Sequence, residues 1–134
     1  MKKKVWQKVN NISSAISIAR NSAAIYVIGK QAEFEGLPIN YEYAYIGQST
    51  DLSRRLKEHL PQNEKNMGLR RWLIKNINKH NIRFAYFDKN ELDIYEQDFI
   101  KYFKPTYNKL HNSDRINKLD EKENNQLLNL GVQL

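Results

Sequence analysis

Residues 40–60 read "NYEYAYIGQSTDLSRRLKEHL", a tyrosine-rich segment followed directly by a basic one. Aromatic and β-branched residues dominate positions 41–49, and this composition predicts a strand. Side chains alternate between the two faces of a strand, so Tyr41, Tyr43 and Tyr45 are expected on one face. The segment therefore predicts a strand that carries phenol groups toward the start of a helix.

The basic part of this segment has the spacing of an amphipathic helix. Thr50 or Asp51 can cap its first turn, because a side-chain oxygen there accepts hydrogen bonds from free backbone N–H groups. The residues of its predicted buried face recur every four positions and are Leu52, Leu56 and Leu60. Arg55 and His59 are also four residues apart and therefore share another edge of the helix.

Two more strands and two more helices are predicted from similar patterns. "AAIYVIGK" at 23–30 and "IRFAYFD" at 82–88 are typical of short strands. The first should pair with the tyrosine strand through an enlarged loop at 30–40, which contains a glycine and a proline. The helices are the basic "LRRWLIKNINKH" and "NELDIYEQDFIKYF", the second with Leu92, Tyr95, Phe99 and Phe103 facing inward. Together these elements predict a small antiparallel sheet flanked by helices.

The composition limits the class of protein. A chain of 134 residues suits one domain, and its 22 basic against 15 acidic residues give a net charge of +7. This charge favours a polyanionic partner, either a nucleic acid or an anionic membrane surface. No apolar run approaches the roughly 18 residues of a membrane-spanning helix. The lack of cysteine excludes disulfides, thiolate zinc sites and a cysteine nucleophile, and it fits a cytoplasmic location.

The two ends of the chain differ from its middle. Residues 1–22 contain five basic residues and no acidic one, and they predict a basic N-terminal arm or helix. The apolar residues there recur at three and four positions and are Val5, Val9, Ile12 and Ile16. Such a helix either packs on the core or contacts a nucleic acid. Residues 111–134 predict a C-terminal tail or a weak final helix.

Short motifs within this framework form an ordered series. "AIY" at 24–26 is followed by "YIG" at 45–47, by an arginine ten positions after the second tyrosine, and by a histidine four positions beyond it. Glu96 then lies in the last helix, twelve positions before the asparagine of "PTYN". Residues 23–110 therefore resemble the GIY-YIG nuclease family. The final part of this series resembles the N-terminal incision domain of the bacterial excision-repair nuclease.

The resemblance implies an α/β (α+β) fold, with a three-stranded antiparallel sheet flanked by helices and an extra N-terminal helix or arm. The nuclease-like domain would cover residues 23–110. The resemblance also implies hydrolysis of DNA phosphodiester bonds with a single divalent ion, Mg²⁺ or Mn²⁺, held by Glu96. The family's functional positions fall on Tyr26, Tyr45, Arg55, His59, Glu96 and Asn108. Ala24 replaces the first motif's glycine, and the interval between the two motifs is longer than in compact family members.

Elementary chemistry is compatible with these roles. Phosphodiester hydrolysis needs an in-line nucleophile, neutralised non-bridging oxygens and a stabilised leaving oxyanion. Magnesium keeps several of its waters, so the Glu96 carboxylate alone can suffice as its protein ligand. Arg55 offers a fixed fork of donors that fits the scissile phosphate. Tyr45 would position water or phosphate, and Asn108 would tie the C-terminal segment to the sheet.

Tyr26 is the family's candidate general base, but its proton presents a problem. An ordinary tyrosine pKa near ~10 leaves little phenolate at neutral pH. A nearby metal-bound water, Arg55 or a hydrogen bond with His59 must therefore lower this pKa or relay the proton. Taken singly, each of these residues also has a purely structural interpretation. Their joint order and spacing favour a catalytic one.

Basic residues are concentrated next to the predicted site. From Asp51 to Arg83 nine basic residues accompany three acidic ones. Such a surface binds backbone phosphates without sequence preference. The residues expected to do so are Arg54, Lys57, Arg70, Arg71 and Lys75. Trp72 lies on the apolar face of its predicted helix, so we expect it in the core rather than stacked on a base.

Several functions are consistent with these patterns. The leading interpretation is a metal-dependent DNA endonuclease, acting in restriction or defence or in repair. The alternatives are a non-catalytic nucleic-acid-binding module, a catalytic subunit that needs a partner, and an interaction protein whose terminal segments form a homodimer. A homodimer is also compatible with the nuclease, because paired active sites are one way to cut both strands.

Overall fold

The structure, a computed structural model, describes residues 3–108. Its strands and helices are β1 (Gln7–Asn10), α1 (Ile12–Ile18), β2 (Ala24–Phe34), β3 (Leu37–Ser49), α2 (Leu52–Glu58), α3 (Met67–Lys75), β4 (Asn81–Tyr86) and α4 (Leu92–Phe103). A short 3-10 turn, Lys89–Glu91, precedes α4. The predicted tail at 111–134 lies outside the described residues. Within the described part of the chain, no helix has the length and apolar character needed to cross a membrane.

The strands form one antiparallel sheet in the order β1-β4-β2-β3. Helices α1, α2 and α3 contribute buried residues to a core on one face, and α4 packs on the other face with a second cluster. This arrangement confirms the α/β (α+β) class with an antiparallel sheet flanked by helices. The expected strand number is wrong, because the sheet formed by residues 3–108 has four strands where three were predicted.

The fourth strand comes from the N-terminal segment that the sequence pattern predicted as an arm or a helix. Residues Gln7–Asn10 pair with β4, and only Ile12–Ile18 is helical. Asn11, with φ at 68°, separates the two elements, and its side chain accepts a hydrogen bond from the Ser14 N–H at 2.8 Å. Val5 is 87% exposed, so it does not belong to a buried helical face. Pairing with β1 gives hydrogen-bond partners to backbone N–H and C=O groups at the open edge of β4. The spacing of apolar residues does not predict this pairing.

The enlarged loop expected between β2 and β3 is also wrong. Both strands continue outward and meet at a two-residue turn, Glu35 and Gly36, whose φ angles are 52° and 81°. Positive φ at both positions is typical of the turns that match the twist of a hairpin. Pro38 was read as a loop residue, but β3 is an edge strand, where a missing N–H is tolerated.

A bulge in β3 changes the faces of its tyrosines. The pairing passes from Ile28 with Tyr45 directly to Gly29 with Tyr43, so Ala44 is an extra residue in the strand. As a result Ala44 and Tyr45 both pack with the cluster under α1, α2 and α3, whereas Tyr43 packs with the α4 cluster. The prediction that the three tyrosines share one face is therefore wrong.

The helices begin close to where the sequence places them. Of the two candidate caps for α2, Asp51 is the one used, because its side chain accepts from the Arg54 N–H at 3.2 Å. Asn66 caps α3 in the same way. Trp72 is buried in the core as expected, and its indole N–H donates to Glu42 at 2.8 Å.

Asn108 fastens the end of the described chain to β3. Its Nδ2 donates to the Ile46 carbonyl oxygen at 2.6 Å, and its Oδ1 accepts from the Ile46 N–H at 2.9 Å. The amide therefore occupies the place of a neighbouring strand at the edge of the sheet. Its burial keeps water from replacing these two bonds.

We predict that Asn108→Ala lowers the free energy of unfolding by about 2 kcal/mol or more, because two buried backbone groups lose their partners. Chemical denaturation at neutral pH measures this loss. Asn40→Ala, at an exposed position of the hairpin, is the matched control and should change stability by less than about 0.5 kcal/mol. Equal stability of the two variants would contradict the assignment.

His80 predicts a pH-dependent stability. Its Nε2 accepts from the Ile12 N–H at 3.0 Å and its Nδ1 donates to the Asn76 carbonyl oxygen at 2.9 Å, an arrangement that requires a neutral ring. Burial lowers the pKa of His80 below its usual value, and burial also lowers the pKa of His59. The unfolded chain therefore binds protons first, and we expect the free energy of unfolding to fall as the pH drops below about 6.5.

Denaturation curves at pH 7.5, 6.5 and 5.5 test this expectation. His80→Gln should be less stable than the wild type at pH 7.5 but should lose less stability on acidification, because one of the two depressed histidines is gone. The remaining slope is assigned to His59. An unchanged slope in the variant would show that His80 does not contribute.

Candidate active site

A cleft of about 1150 Å³ opens beside β3, α2 and the segment that follows α2. Five of the six predicted catalytic residues line it, namely Tyr45, Arg55, His59, Glu96 and Asn108. The sixth, Tyr26, is fully buried next to these residues, with its ring centroid 5.3 Å from that of His59 and 6.2 Å from that of Tyr45. The fold therefore brings together residues that are up to 82 positions apart in the chain, from Tyr26 to Asn108.

Gly47, the last residue of the second motif, lies where a side chain would not fit. Tyr26 on β2 lies opposite Gly47 on β3. A Cβ atom at position 47 would overlap the phenol of Tyr26 and crowd the ring of Tyr45 at 2.8 Å. The absence of a side chain at Gly47 thus provides the space that the Tyr26 hydroxyl occupies.

Tyr26, His59 and Glu64 form a hydrogen-bonded chain. The Tyr26 hydroxyl lies 2.6 Å from His59 Nε2, and His59 Nδ1 contacts Glu64 Oε2. Burial would raise the pKa of Glu64, but the bond with His59 and that of the Asn66 N–H lower it overall, so this carboxyl is ionised. Burial lowers the pKa of His59, so its ring is neutral.

Burial also raises the pKa of Tyr26 well above its usual value. Nearby Tyr45 and Glu96 act in the same direction, whereas Arg55 opposes them without reversing the shift. The sequence left two routes open, a lowered pKa of Tyr26 or transfer of its proton to a neighbouring group. Together, the surrounding protein groups do not lower the pKa of Tyr26. The hydroxyl keeps its proton at neutral pH, and the geometry leaves His59 Nε2 as an acceptor for it.

Arg55 lies in the same cleft as a permanent positive charge. Its Nη2 donates to the Tyr45 hydroxyl at 3.4 Å, and its Nη1 donates to Glu58 at 3.2 Å. Burial opposes the charge on Arg55, but Tyr26, Tyr45 and Glu58 favour it, and the net effect raises the pKa of the guanidinium. Burial raises the pKa of Tyr45, which therefore stays a neutral hydroxyl.

Glu96 supplies a carboxylate to the opposite part of the cleft. It lies in the middle of α4 and is 4% exposed. Its Oε1 is 3.5 Å from Nε2 of Gln48, and the same Nε2 also donates to Asp93. The described residues contain no group of three or more His, Cys, Asp or Glu side chains arranged to hold a metal. A hard oxygen donor in an open, polar cleft fits Mg²⁺ or Mn²⁺, which fill their remaining positions with water and phosphate oxygens.

The five predicted nucleic-acid-binding residues divide into two groups. Arg54 and Lys57 line the active-site cleft. Arg71 and Lys75 are exposed on α3 and line a second, shallower depression. Arg70 is half-buried and points its Nε away from solvent, where this atom has no hydrogen-bond partner within the described chain.

Two polar residues that contact the predicted catalytic residues were not singled out from the sequence. Glu64 lies in the polar stretch between α2 and α3, where an acidic residue is typical of a solvated turn. Gln48 directly follows the second motif and contacts Glu96. Glu64 follows His59 by five residues, a spacing that no helix or strand periodicity marks as a contact. Their contact depends on how the chain turns after α2.

Two of the comparisons with known proteins gave matches. Residues 22–111 match the family model described as the GIY-YIG catalytic domain. The GIY-YIG N-terminal endonuclease domain of UvrC from Thermotoga maritima, bound to magnesium as its catalytic divalent cation, is 24% identical, with 73% of this chain and 96% of that chain covered and a TM-score of 0.49.

A tyrosine-to-phenylalanine point mutant of the same domain, also bound to its catalytic divalent cation, is 23% identical over 73% of this chain and 96% of that chain, with a TM-score of 0.49. No curated protein matches the chain significantly in sequence. The family model nevertheless spans well over half of the chain. The chain therefore belongs to the GIY-YIG family and carries its catalytic nuclease domain.

Proposed function

We propose that the protein is a divalent-metal-dependent endonuclease that hydrolyses phosphodiester bonds in DNA, with the catalytic domain at about residues 23–110. One observation carries this proposal. A guanidinium, a tyrosine hydroxyl, a neutral imidazole and a buried carboxylate meet at one open cleft, and a second tyrosine hydroxyl is buried directly behind it against the imidazole. This set contains a phosphate binder, a proton relay and a hard metal ligand, the parts that phosphodiester hydrolysis requires.

Arg55 binds the scissile phosphate in this mechanism. Its charge persists throughout the reaction, and its planar fork can donate two parallel hydrogen bonds to phosphate oxygens. The Tyr45 hydroxyl, which accepts from Arg55 in the absence of substrate, is freed to donate to a phosphate oxygen or to the attacking water. Glu58 holds the other side of the guanidinium and limits its rotation.

Glu96 would hold the divalent ion, and Gln48 would orient its carboxylate. When bound, the ion neutralises charge on the phosphate oxygens and stabilises the leaving oxyanion. A single carboxylate is sufficient because Mg²⁺ retains most of its water shell. Asn108 lines the same cleft and fixes the local backbone through Ile46 rather than titrating.

Tyr26 acts as a general base only together with His59. Burial raises the pKa of Tyr26 and disfavours a standing phenolate, so its oxygen takes a proton from water while its own proton passes to His59 Nε2. Tyr26 is fully buried in the free protein, so substrate binding must open a path for one water beside Tyr45. His59 thereby acts through Tyr26 and not on the substrate directly.

DNA would approach along the basic surfaces next to the cleft. Arg54 and Lys57 adjoin the site, and Arg71 and Lys75 on α3 extend the positive surface. Such contacts bind the backbone of any sequence, which suits either a restriction or defence enzyme or a repair enzyme. A homodimer would place two such clefts on one duplex. A catalytic subunit that needs a partner would use the same residues.

Cleavage of supercoiled plasmid with Mg²⁺ or Mn²⁺, and with chelator, tests the proposed function. We expect nicked or linear products that chelator abolishes. Glu96→Gln and Tyr26→Phe should each reduce the rate by about 10²-fold or more, because one removes the metal ligand and the other removes the hydroxyl of the relay. Asp98→Asn, exposed on the same helix as Glu96, is the control and should cut at the wild-type rate.

Two outcomes would contradict the proposal. Full metal-dependent cleavage by Glu96→Gln would show that the metal is held elsewhere. DNA binding without any cleavage by the wild type would favour the non-catalytic module or a missing partner.

Salt-dependent DNA binding tests the basic surface. Lys57→Ala and Lys75→Ala should each weaken binding and reduce the slope of log K against log salt by about 0.9, the value for one lost phosphate contact. The control is Lys101→Ala, at an exposed position of α4, which we expect to leave the slope unchanged. Equal slopes for all the variants would remove these lysines from the DNA interface.

A further inference from the structure

Glu64 is a buried carboxylate that the family motifs do not include. It lies between α2 and α3, and only 7% of its side chain is exposed although the surrounding segment is polar. Its Oε1 accepts from the Asn66 N–H at 3.0 Å, and its Oε2 contacts Nδ1 of His59. Burying a carboxylate is costly unless its oxygens are hydrogen-bonded, and here each oxygen has a partner.

These contacts determine which nitrogen of His59 carries the proton. An ionised carboxylate can only accept hydrogen bonds, so the nitrogen that faces Glu64 must donate. A neutral imidazole has one N–H, which places the proton on Nδ1 and leaves Nε2 as an acceptor. Nε2 is 2.6 Å from the Tyr26 hydroxyl, so the phenol donates to the imidazole.

We propose that Glu64 is a positioning residue that fixes His59 in the Nδ1–H tautomer, and so completes a chain in which Glu64 orients His59 and His59 accepts the proton of Tyr26. The assignment of the His59 tautomer applies to the free protein. Its consequence for turnover rests on the proposed nuclease function. The logic is that of the carboxylate in serine hydrolases, which orients an imidazole without taking its proton.

Other titratable groups surround this hydrogen-bonded chain of side chains without replacing Glu64. Arg55 and Glu58 face it from α2, Tyr45 from β3, and Glu96 from α4. Glu58 bonds to Arg54 and Arg55, and Glu96 lies near Gln48. Among the described residues, Glu64 is the carboxylate that bonds to the His59 ring.

Glu64→Gln is a sharp test because Asn66 constrains the new amide. The Asn66 N–H requires an acceptor, so the amide oxygen remains on that side and the NH₂ group faces His59 Nδ1. The imidazole must then accept at Nδ1 and carry its proton on Nε2. The variant should therefore invert the tautomer while keeping the shape of the side chain, and Nε2 could no longer accept from Tyr26.

The first measurement is a long-range ¹H–¹⁵N correlation spectrum of the metal-free, ¹⁵N-labelled protein near pH 7.5. In the wild type, the chemical shifts of the His59 nitrogens should report a proton on Nδ1, and in Glu64→Gln they should report a proton on Nε2. Thermal unfolding of the same samples shows that the variant is folded. Glu33→Gln, which removes an exposed carboxylate of the hairpin, is the charge-matched control and should leave the His59 spectrum unchanged.

The second measurement is the rate of plasmid cleavage with Mg²⁺. We expect Glu64→Gln to lower kcat by about 10²-fold or more with KM changed less than about threefold, because the tautomer affects proton transfer rather than DNA binding. A mere loss of stability would not produce this separation of kcat from KM. Glu33→Gln should match the wild type in both parameters.

The outcomes separate the two hypotheses. If Glu64→Gln leaves the proton on Nδ1, or inverts the tautomer without lowering kcat, the role of Glu64 is wrong. If the wild type cuts no DNA, the nuclease function fails, while the His59 spectrum still decides whether Glu64 sets the tautomer.

Discussion

The approach of the Tyr26 phenol to the backbone of Gly47 is the constraint on which the site depends. Tyr26 and Gly47 are directly paired across β2 and β3, so the register of one strand pair brings the two sequence motifs together. A side chain at Gly47 would occupy the position of the phenol. With that space free, the Tyr26 hydroxyl reaches His59, just after α2, and forms a hydrogen bond with its Nε2.

The bulge at Ala44 completes the same arrangement from the other strand. Without the extra residue, Tyr45 would share a face with Tyr43 and would point toward α4. With it, Tyr45 packs beside Tyr26 and accepts a hydrogen bond from Arg55. Bulges commonly redirect side chains next to active sites. Here the bulge places Tyr43 and Tyr45 on opposite faces of the sheet.

The sequence predicts local features of this fold better than those set by distant contacts. The cap at Asp51 and the buried position of Trp72 depend on neighbouring residues, and both were read correctly. The pairing of β2 with β3 as a hairpin was predicted correctly. Strand β1 and the extension of the hairpin through residues 30–40 were missed, because apolar spacing and a proline do not show which sheet edge is open for pairing. The motif residues were identified by resemblance and converge in the structure, but Glu64 was missed because its link to His59 depends on a turn that no periodicity encodes.

The electrostatics of the cleft explain why a relay suits this site better than a standing phenolate. Burial, Tyr45 and Glu96 already raise the pKa of Tyr26, and Arg55 is the group that opposes them. A bound phosphate would offset part of the Arg55 charge and weaken its effect on the phenol. In the proposed mechanism, the Tyr26 proton therefore leaves through a neighbouring acceptor as the reaction proceeds. His59 Nε2 is the acceptor within hydrogen-bond distance, and it can act as one only while Nδ1 carries the proton that Glu64 holds in place.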